Sequence, residues 1–196
     1  HLTVLPEEIG NCEDLNVLKV IDTPLKVLPE SIGKCGQLQE LFLSFAKVED
    51  LPPSICNLVN LEKIEISSTP LKGLPEDFGQ LQKLQYLDLS ETDITGLPAS
   101  FGRLSNLREF NIAASKLESL PNTLSGLRLL ESLDLFANRL HALPPSIGQL
   151  KSLTFLNAGF NQISALPPEF CLLNKLERVG LDNNDIESLQ IGRAHV

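Results

Sequence analysis

The dipeptide Leu-Pro recurs every 23 residues along this 196-residue chain. It first stands at Leu5-Pro6 and last at Leu166-Pro167, and no insertion breaks the interval between them. A period this short is typical of a solenoid, because one unit alone cannot bury its apolar residues while stacked neighbours can. We therefore assign one domain over residues 1–190, built of eight units that run from 5 to 188.

Each unit carries the spacing L-x-x-L-x-L, which ends in an alternation of apolar and variable positions. A period of two predicts a short strand whose alternate side chains face inward, and in the seventh unit we place that strand at 154–158. The Leu-Pro that follows begins the return segment, since proline fixes φ and has no N–H to donate. The pattern x-x-I-G-x-L after it predicts a 3₁₀ or short helical turn.

The composition disfavours several classes of ligand. The formal charge is −9 with no cluster of lysine and arginine, so nucleic acid is an unfavourable partner, and no apolar run is long enough for a membrane span. The four cysteines form no C-x-x-C pair and have no histidine at metal-ligand spacing, so we expect no metal and no cofactor. This cysteine usage favours a reducing, cytoplasmic location. The cysteines are Cys12, Cys35, Cys56 and Cys171.

The unit LPPSIGQLKSLTFLNAGFNQISA resembles the leucine-rich-repeat consensus in its 23-residue form, LPxxIgxLxxLxxLxLxxNxL. The resemblance extends over residues 5 to 188. Among members of the family, the chain is most similar to the intracellular Ras-associated, Scribble/Erbin-type and plant intracellular leucine-rich-repeat scaffolds. It implies an α/β solenoid, a curved horseshoe with a parallel sheet on the concave face and short helical or 3₁₀ turns on the convex side. It also implies a protein-binding role rather than catalysis.

The family places an asparagine after each strand, where its amide can bond the backbone of adjacent turns as a ladder. Here that position varies, and we expect a hydroxyl to replace part of the bonding and Ala46 to replace none. The ladder should therefore be weakest at the second unit. The residues with a polar side chain at this position are Thr23, Thr69, Thr92, Ser115, Asn138, Asn161 and Asn184.

The variable strand positions face away from the core and so predict the partner-binding surface. They carry a strip of carboxylates and several aromatic residues, which favours a protein or peptide partner with basic residues and an apolar anchor. Solvation of an open sheet is the alternative explanation for the carboxylates. The predicted contact residues are Glu40, Phe42, Glu65, Tyr86, Asp88, Glu109, Asn111, Asp134, Phe136, Phe155 and Asn157.

No catalytic constellation is evident, and His141 has no nucleophile or paired carboxylate at a suggestive spacing. We expect an intracellular signalling scaffold or adaptor. The alternatives are the recognition arm of a larger kinase, ubiquitin ligase or GTPase, or a piece of an extracellular receptor. Neither end of the array shows a capping segment, which favours a fragment. The hexapeptide at 191–196 fits no repeat position and matches the translation of a sequencing adapter, so we expect a non-native tail.

Overall fold

A computed structural model describes residues 2–187 of the chain, so the expected tail at 191–196 lies outside the described residues. Within this range, eight strands form one parallel sheet in the order of the sequence. The sheet is the concave side of an α/β solenoid, as the resemblance implies. The strands are β1 (Val17–Lys19), β2 (Glu40–Phe42), β3 (Lys63–Glu65), β4 (Tyr86–Asp88), β5 (Glu109–Asn111), β6 (Ser132–Asp134), β7 (Phe155–Asn157) and β8 (Arg178–Gly180).

The register of the sheet follows the 23-residue period at every step. Each residue pairs with the one 23 positions later, as Leu41 does with Ile64 and Leu87 with Phe110. The middle residue of a strand therefore stacks on its counterparts in the neighbouring units, and from β2 to β7 these residues are buried in one continuous core. The first and third residues of each strand point the other way, so they form the concave face.

The β7 strand is shorter than the predicted 154–158, because the backbone leaves regular pairing at both ends. The amides of Thr154 and Phe155 both donate to the carbonyl of Glu131, so regular pairing begins only at Phe155. At the other end, the amide of Gly159 donates to the side chain of Asn157, and Phe160 takes a positive φ of 54°. A positive φ three residues after the strand recurs in all eight units.

The return segments form short 3₁₀ turns on the convex side. Asp77 and Thr123 precede the turn in the fourth and sixth units, and in the other six units the proline of Leu-Pro precedes it. Its carbonyl accepts the amide three residues later, as Pro144 does from Ile147 at 2.9 Å. Between residues 2 and 187, none of the helical segments has the length and apolar character that crossing a bilayer requires. The turns are Glu7–Asn11, Glu30–Lys34, Pro53–Asn57, Phe78–Gln80, Ala99–Arg103, Leu124–Gly126, Pro145–Gln149 and Pro168–Leu172.

Some neighbouring 3₁₀ turns approach so closely that only glycine fits between them. A Cβ on Gly102 would overlap the carbonyl oxygen of Thr123 in the next unit, and one on Gly148 would overlap that of Glu169. These contacts are to backbone, which cannot move aside as a flexible side chain could. By contrast, a Cβ on Gly96 would meet nothing within 4 Å.

We therefore expect Gly102→Ala to lower the free energy of unfolding by about 2 kcal/mol or more, because overpacking forces the two turns apart. The matched change Gly96→Ala should be neutral or slightly stabilising, since it only restricts the unfolded chain. Urea denaturation followed by circular dichroism measures both. Equal stabilities of the two variants would contradict the close contact between turns.

The ladder after the strands is complete only in the C-terminal units. The amide group of Asn161 accepts from the Leu140 N–H at 2.9 Å and donates to the carbonyls of Leu135, Ala158 and Gly159 at 2.9–3.2 Å. Asn138 and Asn184 make the equivalent bonds. Asparagine thereby joins one unit to its neighbour through the buried interior.

The N-terminal units depart from the predicted ladder. The hydroxyls of Thr23 and Thr69 are buried without a hydrogen-bond partner among the described residues, so the expectation that a hydroxyl takes over part of the bonding is wrong there. At both positions the local packing leaves the hydroxyl without an acceptor in bonding geometry. At Thr92 and Ser115 the hydroxyls do bond, both to the carbonyl of Leu89. The weak part of the ladder therefore extends from Thr23 to Thr69 and is not confined to Ala46.

Completing the ladder should stabilise the fold. We expect Thr69→Asn to raise the free energy of unfolding by about 1 kcal/mol, the usual net gain from a buried hydrogen bond. Asn161→Ala should lower it by about 2–4 kcal/mol, because the Leu140 N–H and the Leu135 carbonyl lose their partner while staying buried. Urea unfolding measures both changes. A destabilising Thr69→Asn would show that the N-terminal units have no room for the amide.

Candidate functional site

The concave face consists of two parallel columns of strand side chains and a rim just beyond them. The entry column holds the first residue of each strand: Val17, Glu40, Lys63, Tyr86, Glu109, Ser132, Phe155 and Arg178. The exit column holds the third: Lys19, Phe42, Glu65, Asp88, Asn111, Asp134, Asn157 and Gly180. The rim consists of the second and third residues after each strand, and Phe136 is one of them. All the contact residues predicted from the sequence lie in these three rows.

Asparagine and aspartate in the exit column have a structural role in addition to their charge. The side-chain oxygens of Asp88, Asn111 and Asp134 each accept the backbone N–H two residues later, at 2.9–3.0 Å. This bond satisfies an amide that the bend at the strand end turns away from the sheet. Part of the predicted acidic strip is therefore explained by local backbone bonding.

Cations occupy the N-terminal part of the face. The ammonium of Lys63 lies 2.8 Å from the Glu65 carboxylate, which raises the pKa of the lysine above its usual value. The same ammonium lies 4.6 Å from the centroid of the Tyr86 ring. Burial, together with the carboxylates of Asp88 and Glu65, raises the pKa of the Tyr86 phenol. Tyr86 thus stays neutral in a negatively charged surrounding.

The expectation that Phe42 is an exposed aromatic is wrong. Only 7% of this residue is accessible, because the long side chains of the neighbouring strands lie over its ring. The ammonium of Lys19 is 4.4 Å from the ring centroid and that of Lys63 is 5.3 Å from it. Tyr86, Phe136 and Phe155 are partly buried.

Two exposed aromatics at the rim escaped the sequence reasoning. Phe45 is 57% accessible and Phe160 is 50% accessible, and both have a positive φ. Their position holds small or polar residues in the other units, so a bulky side chain there was the available signal. The Phe160 ring packs on Phe136 with 5.0 Å between centroids, so these two form an aromatic pair at the C-terminal part of the rim.

The four cysteines are free thiols, and Cys12 and Cys35 are not joined. Cys35 is buried and its sulfur contacts the Ile9 carbonyl at 3.3 Å. Burial, assisted by Cys12, raises the pKa of Cys35, and burial raises that of Cys56 to about 11. Within residues 2–187, no group of three His, Cys, Asp or Glu side chains is arranged to hold a metal ion.

Thiol reactivity should follow this burial. At pH 8 a thiol of pKa 11 is only about 0.1% thiolate, so Cys56 should resist alkylation in the folded protein. The exposed Cys12 and Cys171 should react first. Brief treatment with iodoacetamide followed by peptide mass spectrometry measures each site, with urea-unfolded protein as the reference. Rapid labelling of Cys56 without unfolding would contradict its buried position.

Comparison with known proteins places this architecture among leucine-rich repeats. A family model described as "leucine-rich repeat region" matches residues 53–140. A leucine-rich-repeat protein of Leptospira interrogans is 34% identical, with a TM-score of 0.90 over 95% of this chain and 48% of that chain. None of the curated protein sequences matches this chain.

Two solved complexes are also similar. A plant peptide hormone receptor, RGFR1 in complex with RGF2, is 25% identical with a TM-score of 0.70, over 92% of this chain and 34% of that one. TLR13 in complex with ssRNA13 is 27% identical with a TM-score of 0.78, over 91% and 26% respectively. The chain spans about half or less of the length of these solved chains.

Proposed function

This chain is a leucine-rich-repeat protein, and on that basis we propose that it binds a protein or extended peptide along its concave face and catalyses no reaction. The eight strands, about 4.8 Å apart, give this face a width of roughly 35 Å. That extent suits a macromolecular partner better than a metabolite. The titles of two similar structures name complexes, one of a plant peptide hormone receptor with RGF2 and one of TLR13 with ssRNA13, which supports a binding role for the fold.

The aromatic pair Phe136–Phe160 is the observation that carries the proposal. A positive φ costs a residue with a side chain roughly 1–2 kcal/mol relative to glycine, and exposure of half a phenylalanine adds an unfavourable apolar surface. Six of the eight units place a smaller or polar residue there, so packing does not demand the ring. Aromatic residues of this kind are frequent energetic centres of protein interfaces.

We further propose a scaffold or adaptor role inside the cell. The four free thiols fit a reducing compartment, where disulfides do not persist. A receptor role is the second candidate, because one of the similar structures is a plant peptide hormone receptor. Fractionation of cells that express the tagged native protein separates the two, since a receptor role requires it at the cell surface or in the medium.

The partner-binding role is tested by affinity capture from extracts of the source organism. We expect the double variant Phe136→Ala/Phe160→Ala to reduce recovery of the captured proteins about tenfold or more, as removal of an aromatic interface centre does. Both side chains are partly or largely exposed, so the fold should persist.

The control variant is Val59→Ala. Val59 has nearly the same accessibility as Phe160, 49% against 50%, but lies in the turn before β3 rather than on the rim. Its truncation should leave capture unchanged. Undiminished capture by the phenylalanine double variant, with an intact circular dichroism spectrum, would contradict binding at this face.

A further inference from the structure

A small pocket opens on the concave face between the rings of Tyr86 and Phe155. These residues are three strands apart in the entry column, and Glu109 and Ser132 stand between them. The pocket measures about 180 Å³, below the roughly 300–1,000 Å³ typical of small-molecule sites, and so has room for about one side chain. Its lining consists of Tyr86, Glu109, Phe110, Asn111, Ser132, Asp134 and Phe155.

The two aromatic walls each leave one ring face to this pocket. Lys63 covers Tyr86 from β3, and the Arg178 guanidinium lies 4.9 Å from the Phe155 ring centroid, from β8. Both of these cations approach from the strand on the far side of the ring. The opposite faces look toward β5 and β6, where the pocket lies. Aromatic faces carry negative potential and attract cations at such distances.

The floor carries two carboxylates without a counterion. Within residues 2–187, neither Glu109 nor Asp134 takes part in an ion pair, whereas Glu65 on the same face pairs with Lys63. One oxygen of Asp134 accepts the Phe136 N–H at 2.9 Å, which holds this carboxylate in place. The other carboxylate oxygen of Asp134 takes no part in this backbone bond and can accept a hydrogen bond from a ligand. The pocket therefore combines two aromatic faces with two negative charges on neighbouring strands.

The same face already contains a filled example of this arrangement. The Lys63 ammonium lies between the rings of Phe42 and Tyr86, at 5.3 and 4.6 Å from their centroids, and 2.8 Å from the Glu65 carboxylate. A cation between two rings and beside a carboxylate is thus stable on this sheet. The pocket at β5 and β6 has the same components, and short Ser132 stands where a long cationic side chain would fill it.

We propose that this pocket binds the guanidinium group of one arginine side chain of an extended partner segment. Arginine fits better than lysine because its planar fork can stack on a ring while donating to carboxylates on two adjacent strands. This inference rests on the proposed function, since it specifies one chemical group that a partner on the concave face presents.

The test uses the intact protein and a synthetic peptide, because Tyr86 is the only tyrosine and the chain has no tryptophan. The probe is an end-blocked heptapeptide of glycine and serine with one central arginine, titrated at constant ionic strength while tyrosine fluorescence is recorded. We expect a saturable change. The matched citrulline peptide, which is neutral and nearly the same shape, should bind about tenfold more weakly or not at all. Equal binding of the citrulline or the lysine peptide would overturn the assignment.

Variants connect the signal to the pocket. Glu109→Gln and Asp134→Asn remove charge with little change of shape, and an asparagine can still accept the Phe136 N–H, as Asn111 accepts that of Ala113. Together they should weaken the arginine peptide about tenfold or more. Ser132→Phe should do the same by filling the pocket, in a column that already carries Phe155 and Tyr86.

The control Glu118→Gln removes one exposed carboxylate that does not line the pocket, and it should leave binding unchanged. An equal loss in this control would show only an effect of net charge and would overturn the site. Affinity capture separates this inference from the proposed function. If Glu109→Gln/Asp134→Asn keeps the captured proteins while Phe136→Ala/Phe160→Ala loses them, the arginine site is wrong and the binding role stands. If both variants keep them, the concave face is not the binding surface.

Discussion

The stacking of identical units at one fixed interval is the constraint on which the structure depends. Each unit is too small to bury its own leucines, so every apolar side chain is buried mainly by the unit before it and the unit after it. The pairing register must be kept from unit to unit, because a shift of one residue within a strand would turn its inward side chain outward. The close contact between 3₁₀ turns at Gly102 and Gly148 shows that the convex side has little free space between units.

This constraint explains why the sequence predicts the fold so well and the site less well. Periodicity alone specifies the strand positions, the parallel order and the buried columns, because all three follow from matching each residue with the one 23 positions away. Periodicity does not specify the conformations that long side chains adopt on the open face. Phe42 occupies a column that faces solvent, yet Lys19 and Lys63 cover it, and that contact depends on side-chain conformations in three neighbouring units.

The same limit applies to the rim and to the polar ladder. Phe160 lies outside the strand pattern, and only the backbone geometry shows that the bend turns it outward with a positive φ. Threonine and asparagine look interchangeable as hydrogen-bonding residues, but local packing decides whether each finds a partner. The amide of Asn161 spans to the neighbouring turn, and the hydroxyl of Thr69 does not. Such differences depend on local side-chain geometry and have no signature in a repeat pattern.

The uneven ladder also bears on function. The complete asparagine bonds at Asn138 and Asn161 lie directly behind β6 and β7, the strands that carry Asp134 and Phe155 and lead to the exposed aromatic pair. A surface held by such bonds loses little conformational freedom when a partner binds, so more of the contact energy is retained as affinity. In the first three units the ladder is interrupted and lysines already cover the ring of Phe42. The complete asparagine bonds and the carboxylate and aromatic side chains of the pocket therefore coincide at β6 and β7, which makes this part of the concave face well suited to recognition.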